Sequence, residues 1–209
     1  MTEMRDIDEL LPEVMTHAPA CPEPVALKHL RDAAREFCHR TRMWRDWDTL
    51  TVSTPECEAV CSMRDARIVE IERATLNGYP LEPKTVGWLD ANIPRWDTYD
   101  GADVARFVTQ LNRNTVTVVP KVEGTLKLRL VLQPSRDAMT LPSFLIDDFG
   151  SEIGAGAAGT VLMLPQVDYA NPALGAALQA QFARLLEEKT AEAQRTQLRA
   201  RQRTKPRYF

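Results

Sequence analysis

Residues 126–132 read LKLRLVL. Leucine at 126, 128, 130 and 132 alternates with Lys127, Arg129 and Val131. That period of two puts four leucines on one face of a strand and two cations on the other. A strand of this kind needs partners beside it and a core beneath it. Outward from it, residues 115–119 are β-branched almost throughout, and Asn112-Arg113-Asn114 separates them from the apolar run 104–111. The two runs are expected to pair as a hairpin. Residues 68–76 read as a further strand ending at Asn77-Gly78, a dipeptide suited to the positive φ angles of a tight turn. Residues 49–52 offer a first strand, and 87–101, with Trp88, Pro94, Trp96 and Tyr99, read as a long irregular loop with aromatic anchors. Segment 46–133 is therefore expected to be a small antiparallel β domain of about five or six strands.

On both sides the period changes to that of a helix. Pro22 and Pro24 open a pattern in which Leu27, Leu30, Ala34, Phe37, Thr41 and Trp44 form one apolar stripe. Lys28, Arg31, Asp32, Arg35, Glu36 and Arg40 make the opposite, solvated face. Upstream, residues 7–14 suggest a short helical turn interrupted near Pro12. After Pro142 a helical segment runs to Leu164, where Pro165 stops it. Gly150, Gly154, Ala155 and Gly159 place small residues along this helix. Each glycine costs about 1 kcal/mol against alanine, so the pattern implies that another helix backbone comes close. Gly150, Gly154 and Gly159 are the helix-packing candidates. The last helix starts at Asn171-Pro172, a cap followed by a first-turn proline, and Leu174, Leu178, Gln181, Phe182 and Leu185 line one side. No breaker follows until Pro206.

The fold class read from these patterns is α+β, an α-helical bundle carrying an inserted antiparallel β domain and an extended basic C-terminal arm. The expected boundaries are 1–45 and 134–194 for the bundle, 46–133 for the β domain and 195–209 for the arm.

Residues 195–209, RTQLRARQRTKPRYF, carry six cations and no acid. The whole chain has a formal charge of −3, so removing those six leaves −9 on everything before them. A cationic terminus closed by Tyr208 and Phe209 has no apolar periodicity for a core of its own, and is expected to order on a partner.

At 209 residues, with 44% hydrophobic and 26% charged positions, the composition is that of a soluble globular protein of one large or two small domains. Met1 to Leu10 is acidic and polar, unlike a secretory signal. The most apolar run, 153–164, is too short and too rich in Gly and Ala to span a bilayer, so no membrane association is expected. Cys21, Cys38, Cys57 and Cys61 read as reduced thiols. The C-x3-C spacing of Cys57 and Cys61, even with His39 in the chain, lacks the second pair a zinc site requires. His29 and His39 lie about 15 Å apart along one helix and cannot share a metal. Asp147, Asp148 and Glu152 form the densest acidic cluster, read as a solvated or partner-facing patch because no further acids are nominated to complete an acid/base or two-metal site. No nucleophile elbow, phosphate loop or H-E-x-x-H motif occurs. No enzyme activity and no cofactor is expected. The strands offer no evident aromatic stacking platform, which weighs against a single-strand binder, although the basic tail could serve as a phosphate clamp.

Several stretches, in this order, resemble the head–tail connector, or adaptor, proteins of short-tailed bacteriophages. They are ELLPEV (9–14), Cys21-Pro22, ALKHLRDAAREFCHRTRMW (26–44), ARIVEIERATLNGYPLEP (66–83), the run from LKLRLVLQPSRD through GAGAAGTVLMLP (126–165), NPALGAALQAQFARLLEEK (171–189) and the closing PRYF. The resemblance implies a structural virion protein assembled in the host cytoplasm as a homo-oligomeric ring of twelve beneath the portal protein. Tail nozzle or tail-fibre proteins would lie below it, and DNA would pass through its channel without sequence-specific recognition. It assigns portal binding to the arm: Arg195, Leu198, Arg199, Arg201, Arg203, Lys205, Pro206, Arg207, Tyr208 and Phe209.

Overall fold

The computed structural model describes residues 3–53, 58–98 and 104–197, without the side chains of 194–197. In chain order the elements are β1 (Met4–Asp6), a 3-10 turn (Ile7–Leu10), α1 (Leu11–Met15), α2 (Glu23–Thr41), β2 (Arg45–Val52), β3 (Ala59–Val60), β4 (Ala66–Leu76) and β5 (Tyr79–Pro83). They continue with α3 (Val86–Asn92), β6 (Phe107–Thr109), β7 (Thr115–Val119), β8 (Gly124–Pro134), β9 (Thr140–Pro142), α4 (Ser143–Leu162) and α5 (Pro172–Gln197). The fold is α+β. It divides into two units, one drawn from residues 1–9 and 44–148, the other from residues 10–43 and the described residues from 149 onward.

In the first unit, β8 is the central strand. Its Leu126, Leu128, Leu130 and Leu132 are fully buried, as the alternation requires. Val131 is also fully buried, so the strand is covered on both faces at that end. β8 pairs antiparallel with β2 on one side and β4 on the other, within a seven-stranded sheet ordered β2-β8-β4-β5-β6-β7-β3. That is one or two strands more than the sequence pattern suggested, and β5 and β6 pair in parallel. The β4–β5 turn is the predicted one: Asn77 and Gly78 take φ of 50° and 86°, and Asn77 Oδ1 accepts from the Thr125 amide at 2.8 Å. The β6–β7 hairpin also forms where expected.

The sheet nearly closes on itself. Asp48, buried on edge strand β2, accepts from the Ser62 amide at 2.9 Å and the Ser62 hydroxyl at 2.7 Å, just beyond the opposite edge strand β3. Asn114, at φ 63°, adds a second clasp. Its amide donates to Ala66 O at 3.0 Å and its Oδ1 accepts from the Ile68 amide at 2.9 Å. Of the irregular loop expected over 87–101, residues 87–92 are instead helical, 93–98 are turns, and 99–101 lie outside the described residues. Val86–Asn92 is a helix, α3, capped by Thr85, whose hydroxyl accepts from the Trp88 amide. Its Leu89 is fully buried with Trp96 and Val119, while Trp96 Nε1 donates to Asp90 at 2.7 Å. Of the aromatic residues that suggested loop anchors, Trp88 lies in this helix, Trp96 packs on Leu89 from the turns that follow it, and Tyr99 lies outside the described residues. A two-stranded ribbon, β1 with β9, was not anticipated because three-residue strands carry no readable period.

In the second unit, Pro12 sits in the first turn of α1, where its missing N–H interrupts nothing. α2 buries Leu30, Ala34, Phe37 and Thr41 of the predicted stripe, but also Ala26, Ala33, Cys38 and His29, so its covered face is wider than one stripe. The Phe37 and Phe149 rings meet with centroids 4.8 Å apart. On α5, Asn171 caps as predicted, accepting from the Leu174 amide at 3.2 Å. The buried seam is Leu178, Phe182, Leu186 and Ala193. Leu174 and Gln181 are exposed instead, because that seam follows a steady near-four-residue step.

Burial, with Lys28 nearby, holds the His29 imidazolium below its ordinary pKa, with Asp32 opposing. The fold thus favours the neutral ring, and the unfolded chain takes the proton first. This stabilisation is full above the unfolded-state value of about 6.5 and is lost as pH falls from there through the lower folded-state value. Melting temperature is expected to fall on acidification through that value, and His29→Asn to flatten the dependence. An identical slope in the variant would remove His29 as its source.

Candidate functional site

The outer face of β2, β8 and β4 carries the most developed surface cluster. Register places Trp47 of β2 opposite Arg129 of β8, and Arg129 opposite Arg73 of β4. One step along, Thr49, Lys127 and Thr75 form the next row. Trp47 is 43% exposed. Lys127 Nζ lies 5.0 Å and Arg129 Cζ 5.9 Å from its ring centroid, both within reach of a cation–π contact. A register shift in β4 between Ile71 and Arg73 leaves Glu72 as the extra residue. Glu72 accepts from Arg45 Nε at 2.7 Å and Arg129 Nε at 2.9 Å. The indole is therefore flanked by Lys127 and Arg129, and Arg129 is itself held by a half-buried carboxylate. Sequence reading missed this cluster: Trp47 and Arg73 are 26 positions apart, and only strand register puts them in one row.

The acidic group nominated from sequence is divided by its surroundings. Asp147 pairs with Arg5 of β1, which also pairs with Glu9, while Asp148 is exposed. Glu152 belongs instead to an open groove of about 300 Å³ between α4 and α5, floored by Ala155, Phe182 and Leu185 and rimmed by Gln181, Arg184 and Glu188. Arg184 pairs with Glu188 at 3.2 Å and Lys189 with Glu192 at 2.8 Å. Lys189 holds the Glu192 carboxyl below its usual range.

The candidate glycines all lie on α4. A Cβ on Gly150 would come 2.8 Å from Leu10 Cδ2, one on Gly154 would collide with Glu13 Cβ, and one on Gly159 would meet the Gly175 carbonyl at 3.1 Å. Gly156 and Gly175, which were not nominated, are as tightly placed, against Phe182 and the Gly159 carbonyl.

Cys21, Cys38 and Cys61 are buried free thiols. Burial pushes Cys61 up to about 11 and raises Cys21 and Cys38 as well, which makes them poor nucleophiles. Cys57 lies outside the described residues. Among the described residues, no group of three His, Cys, Asp or Glu side chains could hold a metal ion. No described helix is long and apolar enough to cross a membrane. Of the arm, only the backbone as far as Gln197 is described, as the end of α5. Leu198, Arg199, Arg201, Arg203, Lys205, Pro206, Arg207, Tyr208 and Phe209 lie outside the described residues, as does the Arg195 side chain.

Residues 5–206 match a family model described as SU10 adaptor protein. No curated protein matches the chain.

Proposed function

The chain belongs to the SU10 adaptor protein family, structural adaptors of bacteriophage virions, and from that membership we propose that it forms a ring between portal and tail. In this reading the ring is dodecameric, as in short-tailed phages. Each copy docks on the portal through residues 195–209, presents its other end to nozzle or tail-fibre proteins, and lines part of the ejection channel. The observation that carries the reading is the extent of the family match, which takes in both units, α5 and most of the cationic segment.

Physical considerations support the arm as the docking element. Helix α5 leads directly into it. Residues 195–197 end α5 rather than starting an extended arm; the twelve residues beyond them would reach about 40 Å if extended, enough to pass from one ring into another. Six cations suit acidic grooves, and Leu198, Tyr208 and Phe209 suit apolar pockets. Each arm bears an ordering cost that simultaneous engagement of many arms offsets through avidity. The charge of −9 on residues 1–194 would keep passing DNA from adhering.

Electron microscopy of portal rings mixed with full-length protein is expected to show an added layer, and protein truncated after Gln194 to give none while keeping the full-length unfolding midpoint. A layer formed equally by the truncated chain would overturn the role of the arm. Absence of a layer with either form, together with steeply salt-dependent DNA binding by the full-length chain alone, would favour the tail as a phosphate clamp.

A further inference from the structure

We infer that the outer face of β2, β8 and β4 beside Trp47 binds single-stranded DNA, with a base stacked on the indole and phosphates lying on Arg73, Lys127 and Arg129. The inference goes beyond the adaptor reading and does not depend on it.

Three observations carry it. Three consecutive rows of this face hold no acid: Trp47, Arg129 and Arg73; Thr49, Lys127 and Thr75; Thr51 and Thr125. Acids come only at the margin, with Glu72 in the bulge and Glu70 in the row beyond, beside Val131 and Arg45. Glu72 is engaged by Arg45 and Arg129, and among the described residues Arg73 and Lys127 have no ion-pair partner. Arg73 also stands directly across from Arg129. Like charges opposed in this way destabilise a strand pair, a cost that an anion laid over the row relieves. The second observation is the indole. Trp47 is exposed, and Lys127 and Arg129 flank it. An aromatic side chain beside a cationic track holds base and backbone together, because every base has a π-face to stack. The third is the balance of donors and acceptors. These rows offer ammonium, guanidinium, indole N–H and threonine hydroxyl donors, and their only side-chain oxygen acceptors are the hydroxyls.

That balance chooses the ligand. The sugar–phosphate backbone of DNA carries acceptors alone, whereas RNA adds a 2′-hydroxyl donor on every nucleotide, which these rows leave short of partners. Duplex DNA suits the face less, since its paired and stacked bases leave the indole nothing to stack on. Lys127 and Arg129 stand about 7 Å apart along β8, and screening confines charge effects to about 8 Å at physiological ionic strength. The face therefore acts locally, despite the charge of −9 on residues 1–194. Sequence reading found no stacking platform in the strands because only the register of three strands assembles one.

The test uses the full chain at physiological salt. Its readouts are fluorescence anisotropy of dye-tagged oligo-dT of about twelve nucleotides and intrinsic tryptophan emission. The oligonucleotide is expected to bind and to quench the emission. Trp47→Ala is expected to weaken binding by about tenfold and remove most of the quenching, and Trp47→Phe to keep affinity within about threefold. Arg73→Glu and Lys127→Glu change exposed side chains and are expected to keep the wild-type circular dichroism spectrum. Each is expected to weaken binding by about tenfold and to lower its salt dependence. Unchanged affinity in Trp47→Ala, Arg73→Glu and Lys127→Glu alike would overturn the inference and move the contact to residues 195–209. Tighter binding of a duplex or of oligo-rU would overturn it in favour of that nucleic acid, and no binding at all would overturn it outright. Normal DNA binding by these variants with loss of the portal layer would assign the face to a protein instead. Loss of DNA affinity with the portal layer intact supports the inference and leaves the adaptor reading as it stands.

Discussion

Gly154→Leu is expected to destabilise the protein by about 3 kcal/mol, with a lower urea midpoint and a fall in melting temperature of several degrees. The site leaves no room for a side chain. The first carbon added at Gly154 would collide with Glu13 Cβ and lie 3.5 Å from Glu13 Cα. A Cβ is fixed by the backbone, so no rotamer of the new side chain relieves the clash. Glu13 cannot swing its own Cβ aside either, so α1 must move from α4, disturbing buried Val14 and Leu10 on either side of Glu13. The control is Gly87→Ala on α3. Nothing lies within 4 Å of that position, so alanine there is expected to be neutral or to stabilise by up to about 1 kcal/mol through helix propensity. An unchanged midpoint for Gly154→Leu would mean that α1 yields freely and that the close approach contributes nothing.

Asp48→Ala is expected to cost about 2–3 kcal/mol, because it removes two hydrogen bonds to a buried carboxylate at the seam. The Ser62 amide and hydroxyl both point at Asp48 across the seam between β2 and β3. No backbone ladder joins those two edge strands, so the carboxylate replaces ladder bonds at the place where the sheet nearly closes. Ser62→Ala removes only the hydroxyl and is expected to cost about 1 kcal/mol. Hydrogen exchange separates local from global effects: amides of 58–62 are expected to lose protection in Asp48→Ala well before those of β8. Equal loss throughout would show that the seam opens only with the whole unit.

The alternation at 126–132 and the Asn77-Gly78 turn were legible because each is a local rule: a period of two, and a dipeptide that accepts positive φ. The Asn171-Pro172 start of α5 belongs with them, since capping depends on residues three apart. Readings failed where structure depends on distant partners. Residues 87–98 looked like part of a loop because Gly87, Pro94, Trp88 and Trp96 carry no clean period. The helix exists because Leu89, Trp96 and Val119 bury one another. The α5 seam was placed partly on Leu174 and Gln181, and packing of Phe182 against Gly156 moves it toward Leu186.

The sequence by itself determined the α+β class, the central strand, the capped last helix and the segregation of charge into residues 195–209. Those follow from nearest-neighbour sterics, from side-chain period and from counting charges. Only the tertiary structure decided the near-closure of the sheet through Asp48 and Asn114, the pairing of β5 with β6 in parallel, and the row of Trp47, Arg129 and Arg73. Each joins residues far apart in the chain. Shifting a strand by one position would turn its outward cations inward. The buried leucine face of β8 excludes that slip, and so the core fixes which charges the surface presents.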